Sequence, residues 1–126
     1  MHIQVEEILQ KYESAAIHYG LASLEFNSTK TNEWHDLLIN CYLQLRSKSN
    51  ESVLLLEKFL SHQNEYLVLW ASSHLLPYSE KIAIHTLNFL AESDSMVSIE
   101  AKYTLLEWEE GSLSLDYPGY KIDEST

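Results

Sequence analysis

Glycine and proline are scarce in this chain, with three Gly and two Pro in 126 residues. A turn-rich all-β protein needs more of both, and a disordered chain would not carry 45% apolar and 11% aromatic residues. A single cysteine, Cys41, excludes an internal disulfide. No apolar run approaches the ~20 residues that cross a bilayer. The amino-terminal MHIQVEEILQ places two acids where a secretory leader needs a basic segment, so a cytoplasmic protein with no membrane association is expected. Bases are few as well: eight Lys and Arg stand against nineteen Asp and Glu, a net charge of −11. The excess is uneven, with nine acids and two bases from Glu92 onward. Such a field repels phosphates, which argues against a nucleic-acid partner, and attracts basic protein surfaces within a Debye length of ~8–10 Å. Solubility alone would also account for it.

What is present is helical periodicity. Val5, Ile8, Leu9, Tyr12, Ala15, Ala16, Tyr19 and Leu24 recur at three- and four-residue steps and predict a helix from Ile3 to about Phe26. The polar break Asn27-Ser28-Thr29 caps a second, about Lys30 to Lys48, with Trp34, Leu37, Leu38, Cys41, Tyr42 and Leu45 on its apolar side. A third, roughly Glu51 to His62, turns Val53, Leu54, Leu56, Phe59 and Leu60 inward. Asn64 opens a fourth that Pro77 stops, Ser79 a fifth, and Asp94 or Ser95 a sixth that ends at Gly111. Short polar breaks between such helices make them antiparallel neighbours. The expected fold is all-α, an α-α superhelix of about three stacked helix pairs. It occupies residues 1–111 and is followed by an irregular acidic extension over 112–126, mobile beyond Lys121.

The stretches Val53 to Leu76 and Ala83 to Leu106 resemble each other at a spacing of thirty residues. Phe59 falls on Phe89, Leu60 on Leu90, Leu67 on Val97, Leu69 on Ile99, Ala71 on Ala101, Leu75 on Leu105 and Leu76 on Leu106. Only apolar positions match, so packing repeats and chemistry does not. The alanine in the second helix of each unit is the small residue that close helix stacking requires.

No pattern carries catalysis. The six histidines show no pair three or four apart and no cysteine nearby, which argues against zinc, and no metal or other cofactor is expected. His35 with Asp36 and Glu33 imitates an acid–base cluster, but neighbours one and two apart on a helix point in different directions. Helical phase makes Cys41 a small core residue. Glycines are too few for a phosphate loop or a nucleophile elbow. A binding surface is therefore expected, not an enzyme. Trp70 pairs with Glu100 across the repeat, which suits either an exposed interaction anchor or a cover for the core edge. Trp108 follows the phase of Leu105 and is expected to seal the end of the stack.

The run Leu69-Trp70-Ala71, Leu75-Leu76-Pro77, Ile99-Glu100-Ala101, Thr104-Leu105-Leu106-Glu107-Trp108 and Gly111-Ser112-Leu113 resembles a family of short bacterial HEAT-like α-α superhelical proteins. The chain departs from that pattern at Glu109-Glu110, where the family commonly has a base after the tryptophan. Members of the family resemble immunity proteins of polymorphic toxin systems, contact-dependent growth inhibition among them. The resemblance implies a monomeric, non-catalytic protein that binds a cognate toxin one-to-one. An acidic surface implies that the toxin is basic, a nuclease above all. The expected contacts are Trp70, Glu100, Glu107, Glu109, Glu110, Asp116, Tyr117 and Tyr120, with carboxylates steering the partner and aromatics supplying buried area. A helical-repeat adaptor between two cellular proteins is the alternative.

Overall fold

A computed structural model describes residues 4–123, which form six α-helices and one 3-10 helix with no strand among them. The all-α expectation is met. The predicted helix start at Ile3 and the tail end Glu124-Ser125-Thr126 lie outside the described residues. The chain divides into two compact units, residues 4–53 with 117–123, and residues 54–116.

The first unit is built on the pair α1 (Val5–Leu24) and α2 (Ser28–Lys48), which pack together. Glu6 and Glu7 sit in the first turn of α1, and Arg46 and Lys48 in the last turn of α2, each on the side that the helix dipole favours. α1 ends where Phe26 takes a left-handed φ of 56°. Asn27 then accepts from the Lys30 amide at 3.1 Å to start α2. Ile8, Leu9, Tyr12, Ala15 and Ala16 from α1 meet Leu38, Ile39, Cys41, Tyr42 and Leu45 from α2 in the buried core. Leu24, expected inside, is exposed. Ser49 closes α2 and caps the short α3 (Asn50–Leu54), its Oγ accepting from the Ser52 amide at 3.1 Å.

Residues 117–123 belong to this unit and are held on α2. Asn40 Nδ2 donates to the Lys121 carbonyl and Gln44 Nε2 to that of Asp123, each at 3.2 Å. The Tyr120 hydroxyl donates to Asp36 at 3.2 Å. Asp123, expected in a mobile end, is thus tied by its backbone.

The second unit departs from the sequence reading at its start. The third helix is not one continuous α-helix: α3 stops at Leu54 and a 3-10 helix follows over Leu55–Phe59. Within the 3-10 helix Leu56 and Phe59 are buried, a three-residue spacing that stacks on one side of a helix with three residues per turn. Asn64 caps α4 (Glu65–Leu75), accepting from the Leu67 amide at 3.1 Å. Ser79 is the N-cap of α5 (Glu80–Ala91), but its hydroxyl reaches Glu57 instead of the helix amides. α6 (Ser98–Glu110) follows a turn in which Ser95 Oγ accepts from the Val97 amide, and Gly111 ends it at φ 76°.

The 3-10 helix packs on α4, α4 on α5, and α5 on α6. Ala71 and Ala101 are both fully buried, as the repeat requires, and so are Leu67 and Val97. The equivalence fails at Phe89 on α5 and at Ile99 and Leu106 on α6, which are 72%, 62% and 48% exposed, whereas Phe59, Leu69 and Leu76 are buried. α4 has neighbours in both the 3-10 helix and α5, whereas α6 packs chiefly on α5. Phe89 lies off the buried line of Ala83, Leu87, Leu90 and Ala91, because a 3.6-residue helix cannot keep the phase of a 3-10 turn.

Phe59→Ala should therefore lower the unfolding free energy by ~3–5 kcal/mol, as a buried aromatic truncation does. Phe89→Ala should stay within ~0.5 kcal/mol. Ala71→Trp should cost ~1–3 kcal/mol or more by overpacking. Equilibrium denaturation of the three variants checks the asymmetry, and equal losses at Phe59 and Phe89 would contradict it.

Candidate interaction surface

The residues singled out from the sequence fall in different parts of the fold. Glu100, Glu107, Glu109 and Glu110 are exposed on α6, and Asp116 is exposed in the segment after it. Burial of its surroundings pushes the Glu100 carboxyl upward. The last turn of α6 holds no base, so Glu107, Glu109 and Glu110 lie at the negative end of the helix dipole with no cation within ion-pair distance among the described residues. α2 carries the opposite arrangement.

Trp70 is on α4 and is half-buried, its indole against the His74 imidazole at 5.7 Å between ring centres. Its Nε1 is enclosed, so of its two readings the cover over the core edge fits this placement. Trp108 is half-buried and donates from Nε1 to Glu80 at 2.8 Å, which ties α6 to α5.

Tyr117 and Tyr120 belong to the first unit. Tyr117 is half-buried at a left-handed φ of 48°, its ring edge-on to Tyr42 at 5.9 Å and to Tyr120 at 6.0 Å. Burial, and then Tyr120, raise its phenol, against the opposing pull of Arg46. Tyr120 is partly exposed and meets Asp36 through its hydroxyl. These two rings hold residues 117–123 against α2.

Three exposed apolar residues on α6 escaped the sequence reading: Ile99, Tyr103 and Leu106. The signal was available in the helical phase. At 100° per residue the three fall within one narrow stripe, opposite Ala101, Leu105 and Trp108, which face α5. The repeat alignment obscured this by pairing Ile99 and Leu106 with buried leucines.

The open spaces of the second unit offer no convergent chemistry. A broad cleft of about 670 Å³ is lined by Glu57, Ser79, Glu80, Lys81, Ile82 and His85. Its two carboxylates are already engaged, Glu57 by Ser79 and Glu80 by Trp108. Among the described residues no group of three or more His, Cys, Asp or Glu is placed to hold a metal ion. No helix there is long and apolar enough to cross a membrane. Cys41 is a buried core residue, as its phase implied, and burial pushes its thiol up to about 11.

That shift predicts a pH dependence. Cys41 keeps its proton in the fold up to about pH 11, while an unfolded thiol loses it near 9. The unfolded chain therefore binds fewer protons between those values, and the stability present below pH 9 falls as pH rises toward 11. The buried Tyr12 phenol, raised chiefly by burial, adds to the loss above pH 10. Cys41→Ala should flatten the slope between pH 9 and 10, read from denaturation midpoints; an unchanged slope would contradict the assignment.

Comparison of the chain with protein families, curated proteins and solved structures gives no match.

Proposed function

We propose that the chain is a non-catalytic binding protein that neutralises a basic toxin domain, a nuclease, inside the cytoplasm of the cell that makes both. It acts as a monomer and covers the toxin's active or substrate-binding surface. The observation that supports this reading is the carboxyl-terminal turn of α6. Glu107, Glu109 and Glu110 stand there against the helix dipole and without a base in the turn. Exposed charges in that position cost a helix ~0.3–1 kcal/mol each. A solubility device would place its acids where they do no harm, such as the first turns of α1 and α5, which hold Glu6, Glu7 and Glu80. Acids concentrated where they weaken the fold are accounted for by a partner that needs them.

Their chemistry suits the task. Carboxylates on one exposed turn raise the encounter rate with a Lys- and Arg-rich surface, and a nuclease carries such a surface because it must bind phosphates. Direct pairing then replaces phosphate at the toxin's basic residues.

The triple variant Glu107→Lys, Glu109→Lys, Glu110→Lys should unfold at a temperature equal to or above that of the wild type, because the charges no longer oppose the dipole. Its association with the toxin encoded by a neighbouring gene should slow by about tenfold or more at low salt, and the difference should shrink as salt rises. Growth on coexpression with that toxin reads the function directly. Wild-type chain that fails to protect overturns the toxin reading. A triple variant that protects and binds like the wild type at every salt concentration removes the acidic turn of α6 from the contact.

A further inference from the structure

The outer face of α6 carries an apolar stripe that no part of the described chain covers. Ile99, Tyr103 and Leu106 are 62%, 60% and 48% exposed, and Met96, just before the helix, is 69% exposed. The three helical residues are spaced i, i+4 and i+7, the seat that one packed helix presents to another. The face opposite holds α5 through Ala101, Leu105 and Trp108. α6 is thus a helix with one occupied side and one open side.

The rim of the stripe decides what fits it. By helical phase Glu100 and Glu107 run along one flank, Glu110 continues the stripe at its carboxyl end, and Lys102 is the base on the other flank. α6 holds four acids and one base. A second copy would bring two such acidic helices together within a chain of net charge −11, and like charges facing each other disfavour that pairing. A partner helix with an apolar ridge flanked by Lys and Arg meets both features at once. Burial around Glu100 makes an arginine there more favourable still, because a partly desolvated carboxylate gains more from a charge-assisted bond.

We infer that the Ile99-Tyr103-Leu106 face of α6 is the seat of a basic amphipathic helix of a partner protein, with Tyr103 and Leu106 as its anchors and Glu100, Glu107 and Glu110 as its rim. This rests on the toxin reading only for the partner's biological identity; the surface and its chemistry stand apart from it. The rim sets the rate of encounter, and the stripe sets the lifetime of the complex.

The test uses the full chain and two synthetic peptides of about five helical turns. Both carry leucine at the stripe-matching positions; one has Lys and Arg on its flanks and the other has Glu. Fluorescence anisotropy should show saturable binding of the basic peptide, weakening as salt rises, and no binding of the acidic one. Tyr103→Ala and Leu106→Asp should each weaken the basic peptide by about tenfold, with thermal unfolding unchanged in Tyr103→Ala. Ile99→Ser provides a milder variant should Leu106→Asp perturb the fold. Phe89→Ser, on another exposed apolar residue, should bind like the wild type.

Equal binding of the basic peptide to the wild type and to every stripe variant would show attraction by charge alone and overturn the inference. So would failure of the basic peptide to bind, or binding of the acidic one. Sedimentation that finds a wild-type dimer and a Leu106→Asp monomer assigns the face to a second copy and also overturns it. Coexpression separates this inference from the toxin reading. A wild-type chain that does not protect removes the toxin and leaves the peptide result standing. Stripe variants that protect as fully as the wild type remove the stripe and leave the toxin.

Discussion

The second unit depends on how closely α4, α5 and α6 approach one another, and small side chains set that distance. Ala71, Ala83 and Ala101, one on each helix, are fully excluded from solvent. An alanine at a helix contact lets the backbones approach, and larger neighbours then interdigitate around it. Leu67, Leu75 and Leu76 on and after α4, Leu87 and Leu90 on α5 and Val97 before α6 are buried around these positions. The thirty-residue similarity is strongest where this constraint acts. It repeats an alanine contact and little else.

That constraint leaves α6 in an unusual state. Of its thirteen residues only Ala101 is fully buried. Leu105 and Trp108 complete the inner face, with Trp108 fixed to Glu80, and everything else on the helix meets solvent. A helix held by so narrow a contact needs its ends secured. Gly111 provides the left-handed turn, and the Ser112 and Leu113 amides both return to the Glu107 carbonyl. The backbone is therefore capped at the same turn where the side chains oppose the dipole. Geometry holds that turn in place while its carboxylates stay exposed.

Most of the fold was legible in the sequence because its signals are local. Asn27 and Asn64 cap the helices they were expected to cap, Pro77 follows the last turn of α4, and Gly111 ends α6. The 3-10 segment is hidden in the sequence because its dense leucines fit a 3.6-residue period well enough to mask the three-residue step from Leu56 to Phe59. The site was less legible for a different reason. The carboxylates of α6 were found from composition, since charge excess survives without any structure. The sequence marks Tyr117 and Tyr120 as aromatics but does not show their surroundings, which in the fold are Tyr42 on α2 for Tyr117 and Asp36 for Tyr120. The repeat implies buried places for Ile99 and Leu106, but a repeat predicts burial only when each unit has the same neighbours, and these two are exposed.

Aromatics that hold their own unit together have less to give a partner. Tyr117 and Tyr120 keep residues 117–123 against α2, Trp108 joins α6 to α5, and Trp70 lies against His74. Tyr103 differs. It is exposed, it sits between Ile99 and Leu106, and it shares a helix with the carboxylates that would draw a basic surface near. Charge acts over a distance of ~8–10 Å and is screened by salt, whereas burial of apolar area acts only on contact and is not. Both reside on α6 in a fixed register, so under the proposed reading a partner steered in by the carboxylates would arrive already aligned with the stripe. A single edge helix, attached by an alanine contact and one indole, can in this way carry both the approach and the grip.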